Sequence, residues 1–116
     1  MNDNEGKRFN GEGPDLYKAM SNPAQADVAK PLILMYHRPE RFDETVKYGI
    51  DLQLSGHTHA GQIPPMELII RAVFKYPYGL YSKGQSFLYT TCGTGTWGPP
   101  MRLSSRSEII KFVLEK

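Results

Sequence analysis

Short apolar runs, rather than long amphipathic stretches, dominate the middle of the chain. Residues 32–36 are apolar without a break, follow Pro31 and lead into His37. A run of this length without polar alternation is typical of a strand that is buried on both faces. Residues 40–48 then favour a helix that ends at Gly49, where glycine provides the left-handed C-cap.

A second strand is predicted over residues 50–54, where apolar and polar side chains alternate. The alternation is typical of a half-buried strand with Ile50, Leu52 and Leu54 on one face. A strand, a helix and a second strand imply one right-handed parallel crossover, so both strands end at the same edge of the sheet.

Helical spacing replaces the strand pattern after this point. Apolar residues recur at intervals of three and four between residues 66 and 74, behind a pair of prolines suited to a first helical turn. Two positions for this helix are open: it packs on the body of the domain, or it forms a surface that faces lipid or a partner. Residues 87–91 and 109–114 are rich in β-branched and aromatic side chains and predict two more strands. The elements together predict an α/β fold.

Length and charge limit the function. The 116 residues are enough for one small domain, and 14 Lys plus Arg against 12 Asp plus Glu give a net charge of only +2. A nucleic-acid-binding surface needs a denser basic face, so none is expected. The single cysteine, Cys92, excludes an internal disulfide. No apolar stretch reaches the roughly 20 residues that span a bilayer, and the polar start of the chain carries no targeting signal, so we expect a cytoplasmic protein.

The amino-terminal part differs in composition from the rest. Residues 1–14 hold four Gly or Pro among charged residues, which predicts a mobile arm. Asp15 suits the N-cap of a short helix that Asn22 and Pro23 end. The domain proper is therefore predicted to comprise residues 15–116.

All three histidines of the chain lie just after the two strands of the predicted crossover. His37 follows the first strand, and His57 and His59 follow the second. Ligand sites in α/β sheets form outside the carboxyl ends of the strands, and residues two apart in an extended chain face the same side. Neutral imidazole is the commonest protein ligand for metals of the Zn, Fe and Ni class. These positions favour a metal site over scattered surface histidines.

Two sequence blocks around these histidines resemble a known family. Residues 56–62 read Gly-His-Thr-His-Ala-Gly-Gln, and residues 36–40 read Tyr-His-Arg-Pro-Glu. They resemble the Gly-His-Thr-His signature of calcineurin-like metallophosphoesterases and the histidine-x-proline block before it. The likeness is strongest to a bacterial branch of small predicted phosphohydrolases. Residues 13–16, 79–81 and 89–98 also resemble that branch, so the similarity covers nearly the whole chain.

The resemblance implies a binuclear metal centre that hydrolyses phosphate esters, in a sandwich of two β-sheets flanked by helices. By that resemblance His37 and His57 bind one ion, and His59 binds the other. The ions would be divalent metals of the Mn, Zn, Fe or Ni class, two in the complete enzyme. The substrate would be a phosphoester, and the resemblance assigns no catalytic residue to this chain.

Three blocks of the family are missing from the sequence: Asp-x-His, Gly-Asp and Asn-His. The chain therefore resembles the C-terminal half of the enzyme. Three imidazoles without a bridging carboxylate leave two dications unbalanced, so at most one metal is expected here, held less tightly than in the whole enzyme. Asp43 and Asp51 lie outside any family motif and read as solvated charges.

Three functions remain open. In the first, the chain is the metal-binding C-terminal half of a phosphoesterase and is inactive without the missing N-terminal half. In the second, it is a non-catalytic metal-binding or self-association module. In the third, it is an independent three-histidine zinc hydrolase. Half a sandwich exposes a sheet face and strand edges, so we expect self-association into a dimer or larger oligomer.

Weaker signals carry two interpretations each. Arg38 either contacts phosphate or lies at the surface. Residues 92–95 either present backbone N–H groups to an anion or form plain turns, and Cys92 reads as a small buried apolar side chain. Trp97 either covers the rim of the cleft or anchors its loop by burying its ring.

Overall fold

The computed structural model describes Lys18 and residues 30–115. The predicted arm over residues 1–14 falls outside the described residues, and of the predicted helix from Asp15 to Asn22 only Lys18, which is helical, is described. The boundary at residue 15 therefore stays a prediction.

Four strands form one mixed sheet. They are β1 (Ile33–Met35), β2 (Leu52–Ser55), β3 (Gly79–Lys83) and β4 (Ser86–Thr90), in the order β1-β2-β4-β3. β2 pairs in parallel with both β1 and β4, and β3 pairs with β4 as an antiparallel hairpin. The predicted α/β class and the parallel pairing of the first two strands are confirmed.

The helices are short. The first, α1 (Phe42–Thr45), continues as a 3₁₀ turn over Val46–Tyr48 and ends at Gly49 with φ 71°, as predicted. A second 3₁₀ turn covers His59–Gly61, and α2 (Met66–Val73) follows the proline pair. Neither described helix has the length and apolar character needed to cross a membrane.

The β3–β4 hairpin includes a strand that the sequence pattern did not predict. Gly79 and Ser82 are weak strand formers, so Gly79–Lys83 reads as loop when taken alone. In the structure, pairing with β4 supplies the backbone hydrogen bonds, in a register that sets Leu80 beside Tyr89. The tight turn between the strands has Gly84 at φ 62°, a conformation that glycine adopts without steric cost.

The buried face of β2 is the polar one, contrary to the alternation. Gln53 is fully buried, whereas Leu52 and Leu54 are only half-buried. Thr45 Oγ1 donates a hydrogen bond to Gln53 Oε1 at 2.9 Å, and Gln53 Nε2 donates to the Glu40 carbonyl at 3.2 Å. Because these bonds satisfy the amide, Gln53 can be buried without the usual desolvation cost, and it fastens β2 to α1 and to the loop after β1.

The opposite face of the sheet is apolar and largely exposed. The register aligns Ile33, Leu52 and Phe87 across β1, β2 and β4. Ile33 is 43% exposed and Met35 is 70% exposed, so the expectation of a strand buried on both faces is wrong for β1. The reason is that β1 is an edge strand, and no element of the described chain covers this part of its outer face.

The predicted strand over residues 109–114 does not form. The segment has no regular structure, and Ile109 is 89% exposed. Both sides of β4 are already paired, to β2 and β3, so no position beside that strand is open. The segment instead lies against the apolar sheet face, where the rings of Phe112 and Tyr89 meet edge to face at 5.4 Å.

We expect the chain to associate through this apolar sheet face. Exposure of such an apolar surface to water by a monomer is unfavourable. A stable interface between two copies would bury more than about 1,000 Å². In sedimentation velocity at micromolar concentration the wild type should run as a dimer or larger, and Met35→Glu should shift it toward monomer. Val73→Glu, a matched change at an exposed position of α2, should not. A folded wild-type monomer would contradict the expectation.

Asp43 joins α1 to the hairpin and gives a pH-dependent contribution to stability. Lys75 Nζ lies 2.6 Å from Asp43 Oδ2, and Lys83 and Tyr76 also bond to the carboxylate. The hydrogen bonds from Lys75 and Lys83 hold the pKa of Asp43 far below its ordinary value of 3.8. A lowered folded-state pKa stabilises the fold above the unfolded pKa, and this stabilisation is lost as the pH falls below about 4.

Asp43→Asn should therefore lower the free energy of unfolding at pH 7 by about 1 kcal/mol or less, because the pairs are solvent-exposed. The difference between variant and wild type should shrink between pH 4 and more acidic values, and also in high salt. Urea unfolding at several pH values measures it. A difference that stays constant down to acidic pH would show that the carboxylate charge is not responsible.

Candidate metal centre

The parallel pairing of β1 and β2 brings the first two histidines together. Tyr36 N donates to the Leu54 carbonyl at 3.0 Å, and Gly56 N donates to the His37 carbonyl at 2.9 Å. These bonds continue the pairing past the ends of both strands. His37 and His57 therefore leave the sheet side by side at its carboxyl edge, as expected for this type of fold.

The two imidazoles are close enough to share one ion. His57 Nδ1 lies 3.3 Å from His37 Nε2, and the ring centroids are 5.1 Å apart at an interplanar angle of 82°. Two nitrogens that each lie about 2.1 Å from one tetrahedral ion are separated by about 3.4 Å. The prediction that His37 and His57 converge is confirmed, and their spacing fits two ligands of a single metal.

His59 lines the same cleft but has a different neighbour. Arg102 Nη2 donates to His59 Nδ1 at 3.2 Å, and Ser105 Oγ donates to the His59 carbonyl at 2.8 Å. A guanidinium group has no acceptor, so Nδ1 of His59 must be the unprotonated nitrogen. In the neutral imidazole the proton then resides on Nε2, and neither nitrogen offers a lone pair to a metal while Arg102 stays in place.

The environment of His59 favours this neutral form. Burial lowers the pKa of His59, and the positive charge of Arg102 lowers it further. All three histidines line one cleft, as predicted. Only His37 and His57 have nitrogens close enough to share an ion, because His59 Nδ1 bonds to Arg102. Within the described residues, no group of three or more His, Cys, Asp or Glu side chains is placed to hold an ion.

The loop that carries His57 and His59 has an unusual backbone. Four side-chain-bearing residues of this loop have positive φ: His57 at 72°, His59 at 50°, Ala60 at 51° and Gln62 at 47°. Residues other than glycine rarely adopt such φ angles, and they keep them only where surrounding contacts fix the backbone. The cluster of strained residues coincides with the histidines.

Gly61 and two hydrogen-bonding side chains fix this loop. A Cβ built on Gly61 would overlap the backbone of Glu67 at the start of α2, so only glycine fits. Thr58 Oγ1 donates to the Pro77 carbonyl at 2.6 Å. The Gln62 side chain accepts from Trp97 N and donates to the Trp97 carbonyl, both at 2.7 Å.

The histidines open onto a cleft of about 480 Å³, which is in the usual range for a small-molecule site. None of the described residues that line it carries a carboxylate. Asp43 and Asp51 lie outside the cleft. Asp43 bonds to Lys75 and Lys83, and Asp51 Oδ2 accepts a hydrogen bond from Leu32 N at 2.7 Å. The lining combines histidines with mostly apolar side chains: His37, His57, Thr58, His59, Gly61, Gln62, Ile63, Met66, Ile70, Phe74 and Trp97.

Two of the weaker sequence signals are resolved by this cleft. Trp97 lines it with a ring that is 67% exposed, so the alternative in which the ring is buried is wrong. Gln62 holds the backbone of Trp97, which leaves the ring at the rim. Arg38 is half-buried beside His37, with its Nε 3.0 Å from Glu40 and its guanidinium 5.8 Å from the centre of the Phe74 ring.

In the glycine-rich loop over residues 92–95, the N–H groups of Cys92 and Gly93 bond within the chain and not to an external anion. Cys92 N donates to Glu108 Oε1 at 3.0 Å, and Gly93 N donates to Thr91 Oγ1 at 3.0 Å. The carbonyls of the loop accept from Arg102 instead, that of Cys92 at 2.8 Å. Cys92 is buried as predicted, and burial raises the pKa of its thiol.

Arg102 and Glu108 are the residues that sequence reasoning missed. Glu108 bonds to Thr91 Oγ1 at 2.8 Å and to the Tyr78 hydroxyl at 2.9 Å. Burial raises the pKa of the Glu108 carboxyl, but bonds from Cys92, Thr91 and Tyr78 outweigh it and lower the pKa overall. The hydrogen bond between the Tyr78 hydroxyl and Glu108 raises the pKa of Tyr78 to about 12. Neither residue lies in a motif, and only their contacts across the fold reveal them.

Comparison with known proteins gives a consistent family. The chain is 42% identical over 98 residues to an uncharacterized metallophosphoesterase of Helicobacter pylori strain J99, covering 83% of this chain and 26% of that protein. It is 38% identical over 112 residues to a zebrafish (Danio rerio) transmembrane protein with metallophosphoesterase domain, covering 94% of this chain and 25% of that protein. It is 38% identical over 87 residues to the uncharacterized metallophosphoesterase YkuE of Bacillus subtilis, covering 72% and 30%.

These similarities extend over most of this chain but over only part of each relative. The chain spans about a quarter of the length of the Helicobacter pylori and zebrafish relatives. No family model matches, and no solved structure matches. The four-stranded mixed sheet with two helices is consistent with a partial metallophosphoesterase fold. The chain belongs to the metallophosphoesterases, as a segment that corresponds to part of its longer relatives.

Proposed function

We propose that this chain supplies part of the metal- and phosphate-binding site of a metal-dependent phosphoester hydrolase. The observation that carries the proposal is the 3.3 Å spacing between His57 Nδ1 and His37 Nε2. These nitrogens are the two ligands of one divalent ion. The names of the relatives support the metal and the phosphoester chemistry.

A divalent ion bound there polarises a phosphoester oxygen as a Lewis acid. The chain's own residues prepare the site: both imidazoles must be neutral, and any proton shared between His37 and His57 must leave before they bind the ion. Two neutral ligands without a carboxylate give weak binding. The described residues alone therefore hold at most one ion, and the remaining ligands come from outside them.

Two arginines lie beside histidines of the cleft and suit a phosphate. Arg38 directly follows His37, and its Nε lies 3.0 Å from Glu40 Oε1. Arg102 is occupied by His59 and by the carbonyls of residues 92–95. For His59 to bind a second ion, as the resemblance implies, Arg102 must release Nδ1. We propose that phosphate draws Arg102 away from His59.

Metal-dependent phosphate binding tests the proposal. Titration of inorganic phosphate in the presence of equimolar Zn²⁺ should give saturable binding that is absent without Zn²⁺. Arg38→Met should weaken phosphate binding at constant Zn²⁺ affinity, whereas Lys47→Met, a matched loss of charge on the solvent-exposed turn after α1, should change neither. Equal phosphate binding with and without Zn²⁺ would contradict the proposed site.

The chain by itself should hydrolyse phosphate esters at background rates with any divalent metal. Its described cleft has no carboxylate to bridge two ions and no unengaged acid to protonate a leaving group. Release of p-nitrophenol from its phosphate mono- and diesters measures the rate. Metal-dependent turnover near the median enzyme rate of about 10 per second, lost in His57→Ala, would refute this expectation.

A second function is favoured by a different observation. The exposed apolar sheet face around Ile33 and Met35 suits a self-association module that binds metal without catalysis. The two functions differ in one measurement. Phosphate binding that depends on Zn²⁺ favours the hydrolase site, and Zn²⁺ binding with no effect on phosphate favours the module.

A further inference from the structure

The helix beside the histidines has no buried side chain, although it is strongly amphipathic. Leu68, Ile69 and Val73 of α2 are 66%, 47% and 68% exposed. Met66 and Ile70 line the histidine cleft from the same helix. Of the two positions left open for α2, packing on the domain holds for one side, where Glu67 meets Gly61 and Met66 and Ile70 face the cleft, whereas the other apolar side is exposed to solvent.

Two kinds of side chain line the cleft. The imidazoles of His37 and His57 are polar, whereas Ile63, Ile70 and Phe74 are apolar, and the Phe74 ring centroid lies 5.8 Å from that of His57. The exposed ring of Trp97 also lines the cleft. A ligand that contacts both kinds of surface must combine a polar head with an apolar body.

Two polar side chains of the lining cannot recognise a hydrophilic body. Thr58 Oγ1 is committed to the Pro77 carbonyl, and the Gln62 amide is committed to the backbone of Trp97. A sugar or nucleoside would lose its hydration there without gaining hydrogen bonds, which is unfavourable. An alkyl or isoprenoid chain has no such requirement.

Charge selects the head group. Arg38 lies next to His37, Arg102 lies against His59, and no described lining residue is a carboxylate. Arg38 is paired with Glu40, so the attraction for a negatively charged head comes mainly from Arg102, which bonds to His59 and to the Cys92 carbonyl. The charge and the apolar wall together define the class of ligand.

We propose that the cleft takes an amphiphilic phosphoester, with the phosphate at the histidines and the hydrocarbon chain along the inner side of α2. This inference rests on the proposed function and names its substrate class. The chain of the ligand is buried between Ile70, Phe74 and the ring of Trp97. The ligand contacts only the side of α2 that faces the cleft. The exposed apolar side of α2 takes no part in binding, so the inference does not require that side to contact a membrane.

Affinity as a function of chain length tests the inference. Trp97 is the single tryptophan of the sequence, so its fluorescence reports on the cleft directly. With equimolar Zn²⁺, octyl phosphate below its micelle concentration should bind at least about tenfold more tightly than ethyl phosphate, because each buried methylene adds favourable transfer free energy. Uncharged octyl glucoside should bind more weakly than octyl phosphate.

A matched pair of variants locates the effect. Ile70→Ser, which changes a cleft-lining residue, should reduce the preference for octyl over ethyl phosphate by about threefold or more, because the substitution removes apolar surface from the wall. Val73→Ser, one turn along α2 and outside the cleft, should leave the preference unchanged. Circular dichroism checks that both variants keep the wild-type fold.

The outcomes separate the two proposals. Equal, Zn²⁺-dependent affinity for ethyl and octyl phosphate overturns the amphiphile inference and leaves the hydrolase site standing. Octyl glucoside that binds as tightly as octyl phosphate also overturns it, since the phosphate then contributes nothing. Absence of binding by either phosphate overturns both proposals. The comparison of octyl with ethyl phosphate on the wild-type chain decides the result even if Ile70→Ser fails to fold.

Discussion

His57→Ala and His37→Ala should each abolish most of the Zn²⁺ binding of this chain. If one ion is held by His57 Nδ1 and His37 Nε2, removal of either nitrogen leaves a single protein ligand. Changes that only support a ligand indirectly cost about 10–100-fold in metal affinity, so loss of a ligand should cost at least as much. Isothermal titration with Zn²⁺ measures the affinities.

His59→Ala is the matched control for this pair. Its Nδ1 accepts from Arg102, so removal of the ring should change the affinity for a first Zn²⁺ by less than about threefold. An independent three-histidine zinc hydrolase requires the opposite, a loss equal to that of the other two variants. Equal losses in all three variants would therefore replace the two-ligand account with the three-ligand one.

Gly61→Ala is the second change with a large expected effect. Gly61 has φ 84°, and an added Cβ would overlap the backbone of Glu67 in α2. A non-glycine residue in this conformation and a displaced helix together should lower the free energy of unfolding by about 3 kcal/mol or more. Because Gly61 lies two residues after His59 in the same loop, Zn²⁺ and phosphate affinity should fall as well. Denaturant unfolding and Zn²⁺ titration measure the two effects.

Gly49→Ala separates backbone strain from the collision. Gly49 has φ 71°, but a Cβ built on it meets nothing within 4 Å. Its substitution should cost only the strain of a left-handed residue, about 1–2 kcal/mol, and should leave Zn²⁺ affinity unchanged. Equal destabilisation by both variants would show that the contact between Gly61 and α2 does not matter.

The position of the histidine pair could be predicted from the sequence because it depends on chain topology. Two strands joined by a short helix pair in parallel and end at one edge of a sheet. His37 and His57 occupy equivalent positions just past those ends. The apolar run over residues 32–36 and the capping Gly49 were sufficient to predict the first strand and the end of the helix, because both signals act locally.

The contact between His59 and Arg102 could not be predicted. The two residues are 43 positions apart, and Arg102 lies in a segment without regular structure. A spacing of two residues predicts a shared face only in an extended chain, whereas His59 begins a 3₁₀ turn with positive φ. The strained backbone turns His59 toward Arg102 and away from a common ligand set.

The buried faces were also beyond a local pattern. Apolar alternation in β2 predicts that Leu52 and Leu54 face the interior, yet Gln53 is the fully buried residue. Alternation identifies the two faces of a strand but not which of them the surrounding chain covers. The apolar residues over 109–114 also gave a strand signal, because side-chain propensity cannot show whether a segment pairs with a sheet edge or lies against a sheet face, as Phe112 does beside Tyr89.

The most direct test of the two-ligand site is the nitrogen NMR spectrum of the histidine side chains during Zn²⁺ titration. The account predicts that the ¹⁵N resonances of His37 Nε2 and His57 Nδ1 shift together with one equivalent of Zn²⁺, while those of His59 hardly move. Zn²⁺ ligation at His37 Nδ1 or His57 Nε2 instead, equal shifts at His59, or no shift at His37 and His57 would contradict it.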